Sequence, residues 1–447
     1  MNEITKENGY RETELGLLPK EWVIKKLGSL LNVLRNGITM KQNKHGDGLP
    51  VTRIETISTG KINLKKVGYV NNISLEKIDK YKLKKGDILF SHINSEPYLG
   101  NSAIYYREDY VVLHGMNLLM IRVNKDKLVP YFLNFLFNHY RKKRNFIKLA
   151  SRAVNQSSIN QGKLKQLLIP LPPLEEQKKI AGVLSAVQDA IEKTEAVIQA
   201  TKDLKKSMMK HLFTYGPVPL SEKENVPLKE TEIGMIPEEW EIYKIKELAN
   251  VKGGKRLPKG HSFSSNRTNF PYIRVSDFKN WGTDMTNIKY LTVKDAKLLR
   301  KYTISSEEVY ISIAGTIGLV GTIPKKLDNA NLTENAAKLI IIDKEKLNRD
   351  YLVSFLASNW GQNQIKIRTS KTSQPKLALT RIKTIKIPLP KQITQMQITM
   401  ILSSIDNKIQ AEENKKKALE DLFSSLLHNL MTAKIRVNDL DLEGVEI

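Results

Sequence analysis

TELGLLPKEW at Thr13–Trp22 returns as TEIGMIPEEW at Thr231–Trp240, 218 residues further on. The same offset carries Ile169-Pro170-Leu171-Pro172 onto Ile387-Pro388-Leu389-Pro390. Between these anchors the register drifts, so that Arg53 aligns best with Arg274 and Tyr131 with Tyr351. A repeat that is rigid at its edges and loose inside describes one scaffold used twice to present two different surfaces. Two copies are fewer than a stacked solenoid needs, and pseudo-twofold symmetry is the better reading.

Outward from these anchors, each copy reads as a globule followed by a helix. In residues 1–168 the strand candidates are Asp87–Phe90, Tyr110–Leu113 and Leu118–Ile121. A helix is predicted from Pro130, a favoured first-turn residue, with Phe132, Phe135, Leu136 and Tyr140 at helical spacing. Residues 231–386 repeat the plan with Glu308–Ile311, Lys338–Ile342 and a helix from Asp350 through Leu352, Phe355, Leu356 and Trp360. Val309–Ile323 reads as two buried strands joined by a glycine turn. Strand runs with a few segregated helices predict an α+β fold in each copy.

The Ile-Pro-Leu-Pro punctuation then stops the globule, because proline continues neither a helix nor a central strand. Residues 169–216 follow with Ile180, Leu184, Val187, Ile191, Thr194, Ile198, Thr201, Lys205, Met208 and Leu212 in alternating steps of four and three. Residues 387–434 match them position for position with Ile398, Leu402, Ile405, Ile409, Glu412, Lys416, Leu419, Phe423, Leu426 and Leu430. A heptad stripe of this length is the mark of a coiled coil. The alternative is that each helix packs only on its own globule. A linker spans 217–230, and a short acidic tail with Asp439, Asp441, Glu443 and Glu446 occupies 435–447.

The chain has 447 residues, too many for one core. It carries 72 Lys and Arg against 47 Asp and Glu, a net charge of +25 spread along its length. Such a surface attracts nucleic acid or anionic membrane. The longest uncharged run, Val309–Ile323, is too short to span a bilayer and is broken by glycines, so a soluble cytoplasmic protein is expected. The absence of cysteine excludes disulfides and thiolate metal sites. The seven histidines are scattered, and no metal site is expected. Phosphate-loop, dinucleotide, amino-methyltransferase and serine-hydrolase motifs are missing, which favours a binding protein over an enzyme.

The Thr-Glu-[Leu/Ile]-Gly-x-[Leu/Ile]-Pro-x-Glu-Trp opening, IPLPPLEEQKKI (169–180) and the LxxxLMTAKIRV pattern (426–437) resemble the specificity subunit of type I restriction-modification systems. YIRVSD (272–277) and ISIAGTIG (311–318) are also similar to phrases of that family's recognition domains. The resemblance covers essentially the whole chain. It departs at Lys391–Ile398, which keeps Gln395 and Ile398 but lacks the Pro-Leu-Glu-Glu of the first copy. The resemblance implies that each globule recognises half of a split double-stranded DNA target. It also implies that the two long helices lie antiparallel as a spacer. From Leu174 to Phe213 such a helix is on the order of 60 Å long at 1.5 Å per residue, enough to bridge a DNA turn of about 34 Å. Two methyltransferase subunits bringing S-adenosylmethionine, and restriction subunits using ATP and magnesium, are the implied partners in defence against foreign DNA. No cofactor is expected on this chain itself.

Basic residues in variable segments are the DNA-contact candidates: Arg35, Lys41, Lys44 and Arg53 in the first globule, and Lys252, Lys255, Arg256, Lys259, Arg267 and Arg274 in the second. Arginine grips guanine bidentately and lysine mostly meets phosphate. Asn36, Gln42, Asn43, Asn94, Asn101 and Asn266 supply amides suited to adenine edges. Trp22 and Trp240 read as core anchors rather than stacking platforms. Arg141–Arg144 reads as a solvated helix face. A self-contained methyltransferase or nuclease, and a DNA binder without sequence preference, are the rival readings.

Overall fold

The computed structural model describes residues 9–152, 156–279 and 281–437. The acidic part of the tail lies outside the described residues. The chain divides into two compact units, one of residues 1–194 with 414–447 and the other of residues 195–413. No helix among the described residues is long and apolar enough to cross a membrane.

In the first unit β1 (Val23–Lys26) leads through a short 3-10 turn into β2 (Leu31–Asn36). Next come β3 (Ile88–Phe90), β4 (Ser102–Ile104) and β5 (Leu119–Val123), and the antiparallel sheet runs β2-β5-β3-β4. Helix α1 (Pro130–Lys142) covers it with Phe132, Leu133, Leu136 and Phe137 in the core. Strand β6 (Leu168–Leu171) returns to pair with β1, and helix α2 (Leu174–Tyr215) starts beyond Pro172 and Pro173. Glu175 and Glu176 in its first turn suit the positive end of the helix dipole.

The second unit repeats this order. Strand β7 (Glu241–Lys244) is followed by β8 (Ala249–Gly253), β9 (Val309–Ser312), β10 (Val320–Gly321) and β11 (Ala336–Ile341), in a sheet ordered β8-β11-β9-β10. Helices α3 (Arg349–Ala357) and α4 (Asn359–Arg368) follow. Strand β12 (Lys386–Leu389) pairs with β7, and helix α5 (Gln392–Met431) closes the repeat. The TELG and TEIG turns also match. Gly16 and Gly234 join paired strands at φ +102° and +117°, where a side chain is strained.

Two local expectations differ from the structure. Tyr110–Leu113 is not a strand, because Leu113 makes only isolated bridges to Val51 and Lys82. The helix from Asp350 stops at Ser358, whose extended backbone lets its hydroxyl cap α4 by accepting from the Gly361 amide; Trp360 therefore belongs to α4. The strands on either side of the Gly315–Gly318 turn form as read, with Val309–Ile311 and Val320 buried.

Both long helices are joined to their globules by one device. The Gln177 carboxamide accepts from the Val129 amide (2.9 Å) and donates to Pro172 and Lys127 carbonyls. Its repeat partner Gln395 accepts from the Asn348 amide (2.8 Å) and donates to Pro390 and Lys346. In the first unit, Ile180 and Leu184 of α2 share a core with Leu427 and Leu430 of α5 and with Trp22. In the second, Leu212 of α2 shares a core with Ile398 and Leu402 of α5 and with Trp240. Each globule therefore packs against both long helices, which is more than each helix serving its own globule alone. No position of either heptad stripe is exposed: Val187, Ile191, Met208, Ile405, Ile409, Leu419, Phe423 and Leu426 are half-buried and Ile198 is buried. Both tryptophans are core anchors, each 1% exposed.

Candidate nucleic-acid interface

In the first unit the backbone leaves β2 at Gly37, where an added Cβ would lie 2.2 Å from the His114 carbonyl oxygen, so only glycine permits the close approach. The loop from Ile38 to Gly48 is then pinned by backbone hydrogen bonds between Asn43 and Tyr69, both 2.9 Å. Lys41 and Lys44 are exposed on it. Arg53 is half-buried and reaches Glu55 (3.3 Å) and Gln42 (3.4 Å), so it braces the loop. Arg35 is half-buried and donates to the Lys80 carbonyl at 3.1 Å. Asn36 is exposed and accepts from Gln161 at 2.7 Å, with His92 buried beside it. Burial lowers the pKa of His92 and that of His114, the latter to about 4, keeping both rings neutral. Asn94 bonds Ser91. Asn101 is buried and donates to the Ile57 and Ser58 carbonyls, a structural role that its sequence context did not reveal.

In the second unit the equivalent segment, Gly254–Phe270, is long and irregular between β8 and the strand Pro271–Ile273. It is nevertheless held in place. The Lys255 amide donates to the Leu332 carbonyl (2.9 Å), and the Ser264 amide to the Tyr290 carbonyl (2.8 Å). His261 pairs with buried Asp295, while Leu257 and Phe263 pack against the core around Tyr272. Its ammonium and guanidinium groups therefore project from an anchored backbone. Lys252, Lys255, Lys259, Arg267 and Asn266 are exposed, and Arg256 remains largely exposed while pairing with Glu334 at 3.2 Å.

Arg274 differs from these. Its guanidinium makes two bonds to buried Asp277 (3.0 and 2.7 Å) and one to the Asn287 carbonyl (2.8 Å). It clamps a turn, and its donors point inward. Lys142 is likewise engaged, with Ser424 and the Phe423 ring, and Arg144 with Glu96. Sequence reasoning missed a group of exposed aromatic residues in the first globule, Tyr98, Tyr106 and Tyr110, with Met116. The available signal was the density of tyrosine between Tyr98 and Tyr110.

The duplicated α+β scaffold thus presents dissimilar basic loops from its two equivalent sheets. The comparisons make the class specific. The sequence profile described as "Type I restriction modification DNA specificity domain" matches residues 19–200 and 237–421. A putative type I restriction enzyme specificity subunit of Methanocaldococcus jannaschii is 38% identical over 436 residues, covering 97% of this chain and 98% of that protein. The EcoKI specificity subunit of Escherichia coli is 29% identical over 182 residues, 39% of each chain. Among solved structures, a type I restriction-modification S subunit from M. genitalium has the same fold. Its TM-score is 0.58 at 16% identity over 96% of this chain and 98% of that one. This chain belongs to the family of type I restriction-modification DNA specificity subunits.

Proposed function

We propose that this protein is the non-catalytic subunit that gives a type I restriction-modification complex its DNA sequence specificity. Each globule reads one half of a bipartite double-stranded target through its own loop set. Lys41 and Lys44 serve in the first globule, with Arg35 and Arg53 behind them. In the second, Lys252, Lys255, Arg256, Lys259 and Arg267 serve, with Arg274 supporting the framework. Two methyltransferase subunits carrying S-adenosylmethionine, and restriction subunits using ATP and magnesium, supply the chemistry in the cytoplasm.

The long helices act as an antiparallel coiled-coil spacer. Reversing one stripe against the other sets Ile180 opposite Leu430 and Leu212 opposite Ile398, and the alternating steps of four and three then coincide, with apolar residues facing each other towards both ends and polar members confined to the middle. Two observations support that register. The Lys205 ammonium meets the Asp406 carboxylate at 2.6 Å, and Lys202 meets Glu413 at 2.7 Å. Lys205 is a polar member of the stripe, and such residues fix register at some expense in stability.

The observation that carries the functional reading is the same strand order presenting two unrelated, anchored basic loops in a member of this family. Exchanging residues 231–386 for the corresponding segment of another family member tests it. Sequencing methylated adenines in cells carrying the exchanged chain should reveal a target altered in one half only. Loss of both halves, or no change in either, counts against modular reading.

A further inference from the structure

The two copies differ at one corresponding place in the scaffold. In the second unit a cavity of about 560 Å³ lies between the last turns of α2, the loop Ile317–Val320 and the α3–α4 junction. Lys202, Lys205, Lys206 and Lys210 line it together with Trp281 and Trp360, and among the described residues no carboxylate does. In the first unit Phe423, Ser424 and His428 stand 218 residues beyond Lys205, Lys206 and Lys210. There, side chains pack directly. Phe423 meets Phe135 edge-on at 6.0 Å, His428 stacks on His139 at 5.6 Å, and Lys142 bonds Ser424.

The lysines of the open copy divide into two kinds. Lys202 and Lys205 are matched by Glu413 and Asp406, and the Lys205 ammonium also sits 3.5 Å from the centroid of the Trp281 ring. Lys206 and Lys210 are exposed and have no ionic partner among the described residues. Trp281 lies at φ +72°, a left-handed backbone that a bulky side chain rarely adopts. Its amide donates to the Val320 carbonyl at 3.2 Å, which holds it there. Such departures cluster where a ligand is clamped.

We propose that this cavity binds a nucleoside phosphate, with the base against the indoles that wall it and the phosphates on Lys206 and Lys210. The volume falls in the roughly 300–1,000 Å³ range of small-molecule pockets. Lysines without lining carboxylates reject a cation, and a cavity walled by aromatic rings rewards a flat heterocycle beyond what phosphate alone gains.

Calorimetric titration of the full-length chain with ATP, tripolyphosphate and adenosine tests this. ATP should saturate one site, with tripolyphosphate and adenosine each binding at least tenfold more weakly. K206Q/K210Q should weaken ATP at least tenfold. W281G, which keeps a residue at ease at that φ, should weaken ATP and leave tripolyphosphate unchanged. Tripolyphosphate binding as tightly as ATP to the unsubstituted chain overturns the proposal without recourse to any variant. So does unchanged ATP affinity in K206Q/K210Q, or saturation by a single-stranded oligonucleotide with none by ATP.

Discussion

Glu176 shows how much one side chain carries in the first unit. Its carboxylate is nearly buried, accepts from the Trp22 indole at 2.9 Å, and takes two bonds from Arg436 at 2.8 and 3.0 Å. Arg436 also reaches Glu21 at 2.7 Å. The repeat places Thr394 at the equivalent position, so no carboxylate stands there for the Trp240 indole, which is buried in the core of the second unit. E176A leaves a partly buried guanidinium short of its main partner and should cost about 2–4 kcal/mol, read as a lower urea midpoint. Histidines set the acid limit. Burial lowers the pKa of His114, and that of His139 beside His428, Lys143 and Lys142, each to about 4. The unfolded imidazoles take up protons near pH 6.5 while the folded ones stay neutral. Stability is therefore full above that pH and falls as the pH drops towards 4, with a slope approaching about 1.4 kcal/mol per pH unit for each ring. Thermal melts should show a lower Tm at pH 5 than at pH 7, and H139Q should flatten the difference. At this scale the sequence was a partial guide. Arg274 and Arg256 look alike in the chain, but only the folded neighbourhood of buried Asp277 turns the first inward.

Among the elements, the loop Gly254–Phe270 combines an irregular path with a fixed backbone. Its residues were recognisable from the density of basic and amide side chains. Its anchoring was not, because the Leu332 and Tyr290 carbonyls that hold it are far away in sequence. If Lys255, Lys259 and Arg267 each meet one phosphate, K255Q/K259Q/R267Q should lower the slope of log affinity against log salt by about 0.9 for each phosphate no longer neutralised. Binding of the assembled complex to its target across a salt series measures this, and an unchanged slope removes these residues from the interface. The Tyr110–Leu113 segment shows the opposite failure. Its β-branched and aromatic residues fit a strand, yet it forms only bridges, since strand propensity yields to the pairing partners available. The stop at Ser358 was equally hidden, because a cap requires both an extended backbone and an amide to receive.

At the level of the whole molecule, the spacer reading makes a geometric demand. Inserting one heptad into both long helices, at positions opposite each other in the reversed register, preserves the stripes and adds about 10 Å. The unread gap in the methylated target should widen by about three base pairs, at 3.4 Å each. An unchanged gap in a folded, active complex would separate the helices from any ruler function. Inserting the heptad into α2 alone should instead disrupt the pairing and lower stability.

The duplication, the α+β class of each copy, the helix starts beyond the Ile-Pro-Leu-Pro stops and the apolar stripes were all determined by local chemistry. Periodicity, proline and glycine act over a few residues and are readable without neighbours. Tertiary structure alone decided which arginines turn inward and which polar groups are buried, such as Asn101 and Glu176. It also decided that one copy packs phenylalanine and histidine where the other keeps a lysine-lined cavity. Those outcomes depend on side chains brought together from distant parts of the chain, and no spacing within a repeat encodes them.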